Sequence, residues 1–282
     1  MKMRGLLMIP VAVVAMLATA CSSEDDFAVE KGVGTAEFAF GVSGSVTDVV
    51  TRATQGTLDD ALLPKQADFD LAISGKYLDE NDAEKSYNGS WMSLEAYYTE
   101  DVKLNKGTYT ATITAGNPAE EGVGKPYFVG ELRDFTVKAN TTQTYTITAS
   151  LANSCFTFAV TDWMLNYYKD IKLTIHTATN SFLFEPTSTV ASDLYFVAAD
   201  QVLSISGTAV KVQNNADVEF TKTAIGVKDA EGNVVNKTLA AQHRYAIVVD
   251  NSAVGGGFLT VKFDDTFTDV EALEVELNPD IE

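Results

Sequence analysis

The chain has 282 residues, with 39 acidic residues against 20 basic ones and a formal net charge of −19 at pH 7. A field of this sign repels phosphate backbones, which makes nucleic acid a poor partner. Two cysteines and two histidines are too few for a disulfide framework and argue against a Cys/His zinc site. The composition therefore argues against nucleic acid as a partner and against a Cys/His zinc site, and we expect no metal and no cofactor.

The amino terminus has the pattern of a secretory signal. Lys2 and Arg4 precede an almost wholly apolar run from Gly5 to Ala18, and small residues follow it. At 1.5 Å per residue the run is too short to cross about 30 Å of hydrocarbon. A basic start, a short apolar core and a small-residue exit are typical of a secretory signal. We expect residues 1–20 to be removed.

Cys21 directly follows this signal, and the segment Leu17–Cys21 resembles a bacterial lipobox. In lipoproteins of that kind the cysteine thiol carries diacylglycerol after the signal is cut. The leucine stands one place earlier than in the common pattern, which has it where Ala18 lies. We predict that Cys21 is the lipid attachment site and that it anchors the chain in outer-membrane lipid. A plain secretory signal that happens to precede a cysteine is the alternative.

A short acidic stretch comes immediately after Cys21. It consists of Ser22, Ser23, Glu24, Asp25 and Asp26. Serine followed by acidic residues at this place resembles the export tag of surface-exposed lipoproteins in the Bacteroidetes. An ordinary solvated linker is the alternative. We expect residues 21–33 to form a lipidated linker and the rest of the chain to face the cell exterior.

Period-2 alternation of apolar and polar residues dominates beyond residue 33, and it places alternate side chains on opposite faces of a strand. The first predicted strand is Thr35–Val42. Short turns separate the strands and long helical patterns are missing, which indicates antiparallel sheets packed as sandwiches. We predict an all-β fold of two antiparallel β-sandwich domains, Greek-key or transthyretin-like, at 34–150 and 151–282. Clear alternation occurs at Phe69-Leu71-Ile73, Tyr109-Ala111-Ile113, Tyr145-Ile147, Phe156-Phe158-Val160, Ile171-Leu173-Ile175, Tyr245-Ile247-Val249 and Leu273-Val275-Leu277.

Two short helical insertions interrupt the strands. One carries Trp91, Leu94 and Tyr98 at spacings of three and four, and the other begins at Asp162, a helix-capping residue type, and carries Trp163. Exposed aromatic rings could stack on sugar rings, so Trp91 and Trp163 are candidate glycan-stacking residues. Packing of these rings in the core is the alternative.

Residues 105–160 carry several motifs that resemble a known family. They read Asn105-Lys106-Gly107-Thr108-Tyr109, then Asn117-Pro118, Lys125-Pro126-Tyr127-Phe128 and Leu151-Ala152-Asn153. The chain is similar over about residues 35–280 to a family of Bacteroidetes surface lipoproteins known as a domain of unknown function, itself related to the fimbrillin-like group. The resemblance implies two β-sandwiches and a structural or adhesive surface role, with pilus or other surface subunits, or a glycan, as partners. It supplies no catalytic residues.

The same resemblance implies two assembly features. In fimbrillin-like pilins a protease cuts after an arginine near the amino terminus, and the bond between Arg52 and Ala53 is the candidate here. A neighbouring subunit then fills the open sheet with a strand, and Leu273, Val275 and Leu277 belong to the candidate donor strand. The alternatives are an ordinary arginine in a polar loop and a last strand that closes its own sheet.

The sequence shows no catalytic set. His176 and His243 are far apart along the chain, and no partner for either one follows from spacing. Cys155 lies in an alternating segment without nearby histidine or basic residues, so we expect a small buried residue rather than a reactive thiol. We predict a protein that is not an enzyme and that acts as a structural or adhesive surface lipoprotein, with a glycan-binding surface lipoprotein as the alternative.

Overall fold

The computed structural model describes residues 32–48, 54–228, 234–251, 258–262 and 273–276, the last two ranges by their backbone alone. The described residues belong to one compact unit. Several predicted features lie outside the described residues. These are the signal at 1–20, Cys21, Ser22, Ser23, Glu24, Asp25, Asp26, Arg52, Ala53 and Leu277.

The described part of the chain is built mainly of β-strands, which confirms the all-β prediction. The strands are β1 Val33–Ser43, β2 Ser45–Asp48, β3 Thr54–Thr57, β4 Asp70–Leu78, β5 Glu84–Trp91, β6 Leu104–Asn105, β7 Gly107–Ala115, β8 Gly122–Val123, β9 Phe128–Val137, β10 Thr142–Leu151, β11 Ser154–Val160, β12 Tyr168–His176, β13 Ser181–Phe184, β14 Tyr195–Val197, β15 Ser204–Lys211, β16 Asp217–Ala224, β17 Gly226–Lys228, β18 Val234–Asn236, β19 His243–Asn251, β20 Phe258–Lys262 and β21 Leu273–Glu276. The α-helices are α1 Leu94–Thr99 and α2 Asp162–Tyr167, and 3-10 turns cover Asp60–Leu62 and Gln66–Asp68.

Strands of the first half form a seven-stranded sheet in the order β5-β4-β7-β9-β10-β1-β6. Alternation in the sequence explains its two faces. Leu71 and Ile73 of β4 and Ala111 and Ile113 of β7 are buried, while the threonines between the buried residues of β7 face outward to varying degrees. β-branched hydroxyl residues suit such a solvated face because they fit the pleat and still meet water.

Strands of the second half form most of an eight-stranded sheet, in the order β21-β20-β19-β11-β14-β8 with β2 and β3 beside β19, and all of a four-stranded sheet in the order β13-β12-β15-β16. β17 and β18 form a separate pair. Phe158 of β11 and Ile247 of β19 in the eight-stranded sheet share a buried cluster with Leu173 of β12 and Phe220 of β16 in the four-stranded sheet. Burial of these side chains between sheets removes apolar surface from water and is the main stabilising contribution here.

The prediction of purely antiparallel sheets is wrong at three pairings among the described strands. β1 runs parallel to β10, β11 runs parallel to β19, and β19 runs parallel to β2. Side-chain alternation identifies a strand, but the direction of its neighbour depends on how the connections between them are routed. The first strand of each half therefore pairs in parallel with a strand that comes late in the same half.

Buried apolar residues fall into two clusters. The first gathers residues from Ala36 to Leu151 together with Cys155 and Phe196. The second gathers residues from Phe156 to Val249. Two strand pairings nevertheless join the halves, since β8 pairs with β14 and β2 pairs with β19. The domain boundary at residue 150 stays a prediction.

Both helical insertions are present, but their starts differ from those predicted. Trp91 ends β5, and α1 begins after Ser93, whose hydroxyl accepts a hydrogen bond from the Ala96 N–H at 3.1 Å. Thr161, rather than Asp162, caps α2 by accepting from the Met164 N–H at 3.4 Å. Serine and threonine accept the free N–H groups of a first helical turn as readily as aspartate does. Among the described residues, no helix is long and apolar enough to span a membrane.

Candidate binding surfaces and the junction between the halves

Trp91 is 7% exposed and does not offer a free ring face. Its ring packs edge-on against Tyr97 with ring centroids 4.9 Å apart, and its indole N–H donates to Glu100 Oε2 at 2.6 Å. An indole that packs on one side and finds a hydrogen-bond partner behaves as a core residue. The structure therefore disfavours Trp91 as a glycan-stacking residue.

Trp163 is 62% exposed and stays a candidate for stacking. It lies on α2 four residues before Tyr167, which is 38% exposed, so the two side chains share one helix face. Val212 is also exposed and donates its N–H to the Tyr167 carbonyl at 2.9 Å. The next residue, Tyr168, is buried in the core. Trp163 and Tyr167 thus present an exposed aromatic patch on one face of α2.

The candidate processing site lies between β2 and β3. These strands pair antiparallel as a hairpin, and the connection that holds Arg52 and Ala53 is outside the described residues. β2 is fixed to the second half by Arg244, whose Nε and Nη2 donate to the two carboxylate oxygens of Asp48 at 2.5 and 2.8 Å. This two-point contact is the strong geometry for an arginine and a carboxylate.

The candidate donor strand is paired within its own chain. Leu273 and Val275 belong to β21, which pairs antiparallel with β20 and stands at the end of the sheet order. Leu277 lies outside the described residues.

A carboxylate between the halves collects five hydrogen bonds. Glu121, in the loop before β8, accepts them at 2.5 to 3.2 Å. The donors are Thr177 Oγ1, Thr179 Oγ1, Asn180 Nδ2, the Ala198 N–H and Gln201 Nε2. Partial burial raises the pKa of Glu121, but hydrogen bonds led by Thr177 outweigh it and leave the pKa below its usual value. Glu121 therefore ties a loop of the first half to two loops of the second.

Two motifs of the sequence meet at the same junction. Asn153 is buried, its Nδ2 donates to the Lys125 carbonyl at 3.1 Å, and its Oδ1 accepts from the Tyr127 N–H at 3.3 Å. The Ala152 N–H donates to the Tyr127 carbonyl at 2.7 Å. The Leu-Ala-Asn segment thus binds the backbone of the Lys-Pro-Tyr segment, and this satisfies polar groups that would otherwise be buried without partners.

The remaining chemistry-bearing side chains have local partners. Cys155 is buried, as predicted, and burial raises the pKa of its thiol to about 12. His176 lies between two hydroxyls, with Nδ1 2.8 Å from Ser181 Oγ and Nε2 2.8 Å from Ser206 Oγ. Within the described ranges, no group of three or more His, Cys, Asp or Glu side chains is arranged to hold a metal ion.

These residues define an all-β protein whose buried polar groups mainly join loops and strands to one another. Residues 34–279 match the family model described as Domain of unknown function (DUF4493), so the chain belongs to that family. No curated protein matches the chain.

Solved structures from Bacteroides are similar at low identity. One from Bacteroides thetaiotaomicron, described as "putative polysaccharide binding proteins", is 11% identical with a TM-score of 0.36, and the match covers 82% of this chain and 96% of that chain. A "putative cell adhesion protein" from Bacteroides eggerthii is 12% identical with a TM-score of 0.37 and coverages of 83% and 96%. A "putative adhesin" from Bacteroides ovatus is 11% identical with a TM-score of 0.35 and coverages of 89% and 96%.

Proposed function

We propose that the protein is a non-enzymatic, lipid-anchored surface lipoprotein with a structural or adhesive role, built from two fimbrillin-like β-sandwiches. The observation that carries this proposal is the position of the first strand. β1 begins at Val33, about a dozen residues after Cys21, and its pairing with β10 makes it an integral strand of the first sheet. A linker of that length, fully extended, reaches roughly 40 Å. It is long enough to hold the all-β unit clear of lipid headgroups.

Mass spectrometry of the native protein from the outer-membrane fraction tests the anchor. We expect an amino terminus at Cys21 with an attached lipid mass. A Cys21→Ala variant should leave the membrane fraction, while a Ser23→Ala variant should stay in it as the matched control. Protease treatment of intact cells should cleave the protein. A mature chain without lipid, or one protected until the outer membrane is broken, would contradict the anchor or the surface orientation respectively.

The finer proposal is assembly by strand exchange in the fimbrillin-like manner. A cut after Arg52 would separate β1 and β2 from β3 onward. β1 buries Ala36 and Phe38 and pairs with β10 over nine residue pairs, so its departure would open a long apolar groove. The same mass spectrum would show a new terminus at Ala53 if this processing occurs. Deletion of residues 269–282 should then abolish polymers and leave the fold intact, whereas general misfolding would show that β21 serves its own sheet.

A glycan-binding role is the second candidate, and the exposed pair of Trp163 and Tyr167 favours it. Rings that share one helix face and stay open to solvent can stack on a sugar ring. A glycan array with host and dietary polysaccharides tests the idea. Binding should be lost on Trp163→Ala and kept on Met92→Ala, which removes an exposed apolar side chain elsewhere. Equal binding by both variants, or no binding by the wild type, would rule out this patch.

A further inference from the structure

β1 has a strand on one side and tyrosine hydroxyls on the other. β10 covers one edge along nine residue pairs, but β6 covers the other edge only at Val33 and Gly34. Further along that edge, Tyr97 of α1 donates its hydroxyl to the Ala36 carbonyl at 2.8 Å. A side chain of α1 thus binds a backbone group that a neighbouring strand would otherwise bind. Tyr98, the next residue of α1, does the same at Phe38.

Tyr98 satisfies both outward backbone groups of Phe38. Its hydroxyl oxygen accepts from the Phe38 N–H at 2.8 Å, and the hydroxyl donates to the Phe38 carbonyl at 3.0 Å. A strand of another chain would bind the same two groups in an antiparallel pair. An unpaired N–H and C=O on a strand edge are a template for such pairing, so Tyr98 blocks an edge that would otherwise be open.

The two tyrosines differ in how easily they can leave. Tyr97 is buried and packs against Trp91, whereas Tyr98 is 43% exposed. Tyr98 also lines a depression of about 500 Å³ beside the turn Gln66–Asp68. Exposed side chains change rotamer on the nanosecond timescale. Tyr98 can therefore swing toward this depression while Tyr97 continues to hold Ala36.

We propose that Tyr98 is a gate on the edge of β1 and that the open edge pairs with β1 of a second copy of this chain. The pairing would be antiparallel about a twofold axis at Ala39 and would use the backbone groups of Phe38 and Phe40 in both copies, stopping short of Ala36, which Tyr97 still holds. It would not depend on processing at Arg52. It would join the first sheets of the two copies into one continuous sheet, which is the self-complementary contact expected of a symmetric dimer.

The charges along β1 fit this register. Backbone groups alternate in direction along a strand, so Phe40 presents its N–H and C=O to the same side as Phe38. Pairing about Ala39 sets Phe38 opposite Phe40 and Glu37 opposite Gly41. The glutamates of the two copies therefore do not face each other, and like charges directly opposite would destabilise a pair. Ala39 is exposed and small, which leaves room for close approach at the axis.

Substitutions at Tyr98 test the gate. They are made in residues 21–282 with Cys21→Ser, which removes the predicted lipid attachment site. Tyr98→Phe keeps the ring and removes the hydroxyl, so we expect a monomer in which the Phe38 amide exchanges hydrogen about five- to tenfold faster. Tyr98→Ala removes the ring, so we expect a concentration-dependent dimer by light scattering, with the amides of Phe38 and Phe40 protected. Tyr145→Phe is the matched control, because its hydroxyl also donates to a backbone carbonyl, that of Thr136, at 2.7 Å. This control should stay monomeric with unchanged exchange at Phe38.

The register is tested by Ala39→Glu in the Tyr98→Ala background. Two glutamates would face each other at the axis, and the dimer should dissociate. A dimer that survives Ala39→Glu, or a Tyr98→Ala chain that stays monomeric at several hundred micromolar, overturns the proposal. Should Tyr98→Ala fail to fold, Ala39→Cys in a chain with Tyr98→Leu, whose shorter side chain does not reach the Phe38 backbone, gives a second readout. It should form an intermolecular disulfide under oxidising conditions, and its absence would also overturn the proposal.

Discussion

Cys155 carries a thiol that the fold has removed from solvent. Its Sγ lies 3.7 Å from the His243 carbonyl, and burial raises the pKa of the thiol well above the usual range, although the charge of Arg244 acts in the opposite direction. The thiolate is the reactive form, so native protein should react very slowly with a disulfide reagent at pH 8. We expect reaction of this thiol only after unfolding in guanidinium, followed by absorbance in the chain with Cys21→Ser. Rapid stoichiometric labelling of the native protein would contradict this.

The environment of Cys155 could be predicted from the sequence, but that of Trp91 could not. Burial of Cys155 follows from its residue type, whereas alternation places it on the face of β11 opposite Phe156 and Phe158, and it packs in the first buried cluster while they pack in the second. Trp91 also lies at an apolar spacing, yet its helix-like interval to Leu94 and Tyr98 belongs to a strand end followed by a helix. Whether its ring is covered depends on Tyr97 and Glu100, and spacing alone does not indicate which side chains fold back over it.

At the scale of elements, the β2–β3 hairpin is fitted closely around one ion pair. A Cβ on Gly56 of β3 would lie 2.3 Å from Asp48 Oδ2 and 3.0 Å from Arg244 Nη2. Glycine is therefore required there for close approach. Gly56→Ala should displace the carboxylate from Arg244 and lower the free energy of unfolding by about 1–3 kcal/mol, the cost of a disturbed partly buried charged hydrogen bond.

Denaturant unfolding measures the effect of Gly56→Ala. Asp48→Asn is the companion variant, because it keeps the size of the side chain and removes its charge. In the Asp48→Asn background, Gly56→Ala should cost less than it does alone, since the two changes act on one contact. Strictly additive effects would show that Gly56 serves another purpose.

The elements themselves follow from the sequence more closely than their partners do. β4, β7 and β11 appear where alternation predicts them, because period 2 is a local property. The pairing of β2 with β19 joins Asp48 to Arg244 across most of the chain, and local patterns do not contain such information. The parallel direction of β1 beside β10 was missed for the same reason.

At the scale of the whole molecule, Glu121 makes cohesion of the two halves depend on pH. Its pKa is lowered in the folded chain, so its stabilising contribution is fully present above the unfolded pKa of about 4.5 and is lost as the pH falls through the folded value. Glu121→Gln should lower the free energy of unfolding at pH 7 by about 1–3 kcal/mol, because the NH2 group of the amide would face N–H and O–H donors and could not accept from them. This difference from the wild type should shrink as the pH falls toward 3.

Unfolding curves from pH 3 to pH 7 measure this dependence. Glu120→Gln is the control, because the neighbouring Glu120 is exposed and its side-chain partners within the described ranges, Asn117 and Lys125, lie on its own loop. It should unfold like the wild type. A deficit for Glu121→Gln that is constant over this pH range would show that the charge of Glu121 is not what holds the junction.

The junction is the part of the molecule that the sequence predicts least. The Leu-Ala-Asn and Lys-Pro-Tyr segments stand out as family motifs, and the structure shows that Asn153 binds the backbone at Lys125 and Tyr127. The motifs identify these residues as family features, but the sequence does not indicate that the two segments are in contact. Glu121 had no signal of its own, since it is one acidic residue among many in an acidic chain.

The parallel neighbour of β1 also governs the order in which the chain can fold. The amino end is synthesised first, yet Thr35 lies opposite Thr142 and Asp48 lies opposite Arg244. Contacts between residues this far apart in sequence form slowly, because closing the long intervening loop costs conformational entropy before the contact can stabilise the chain. The leading segment must therefore stay unpaired, with its apolar face uncovered, until most of the polypeptide has been made. We expect holding chaperones to bind this protein chiefly at its earliest-made strand.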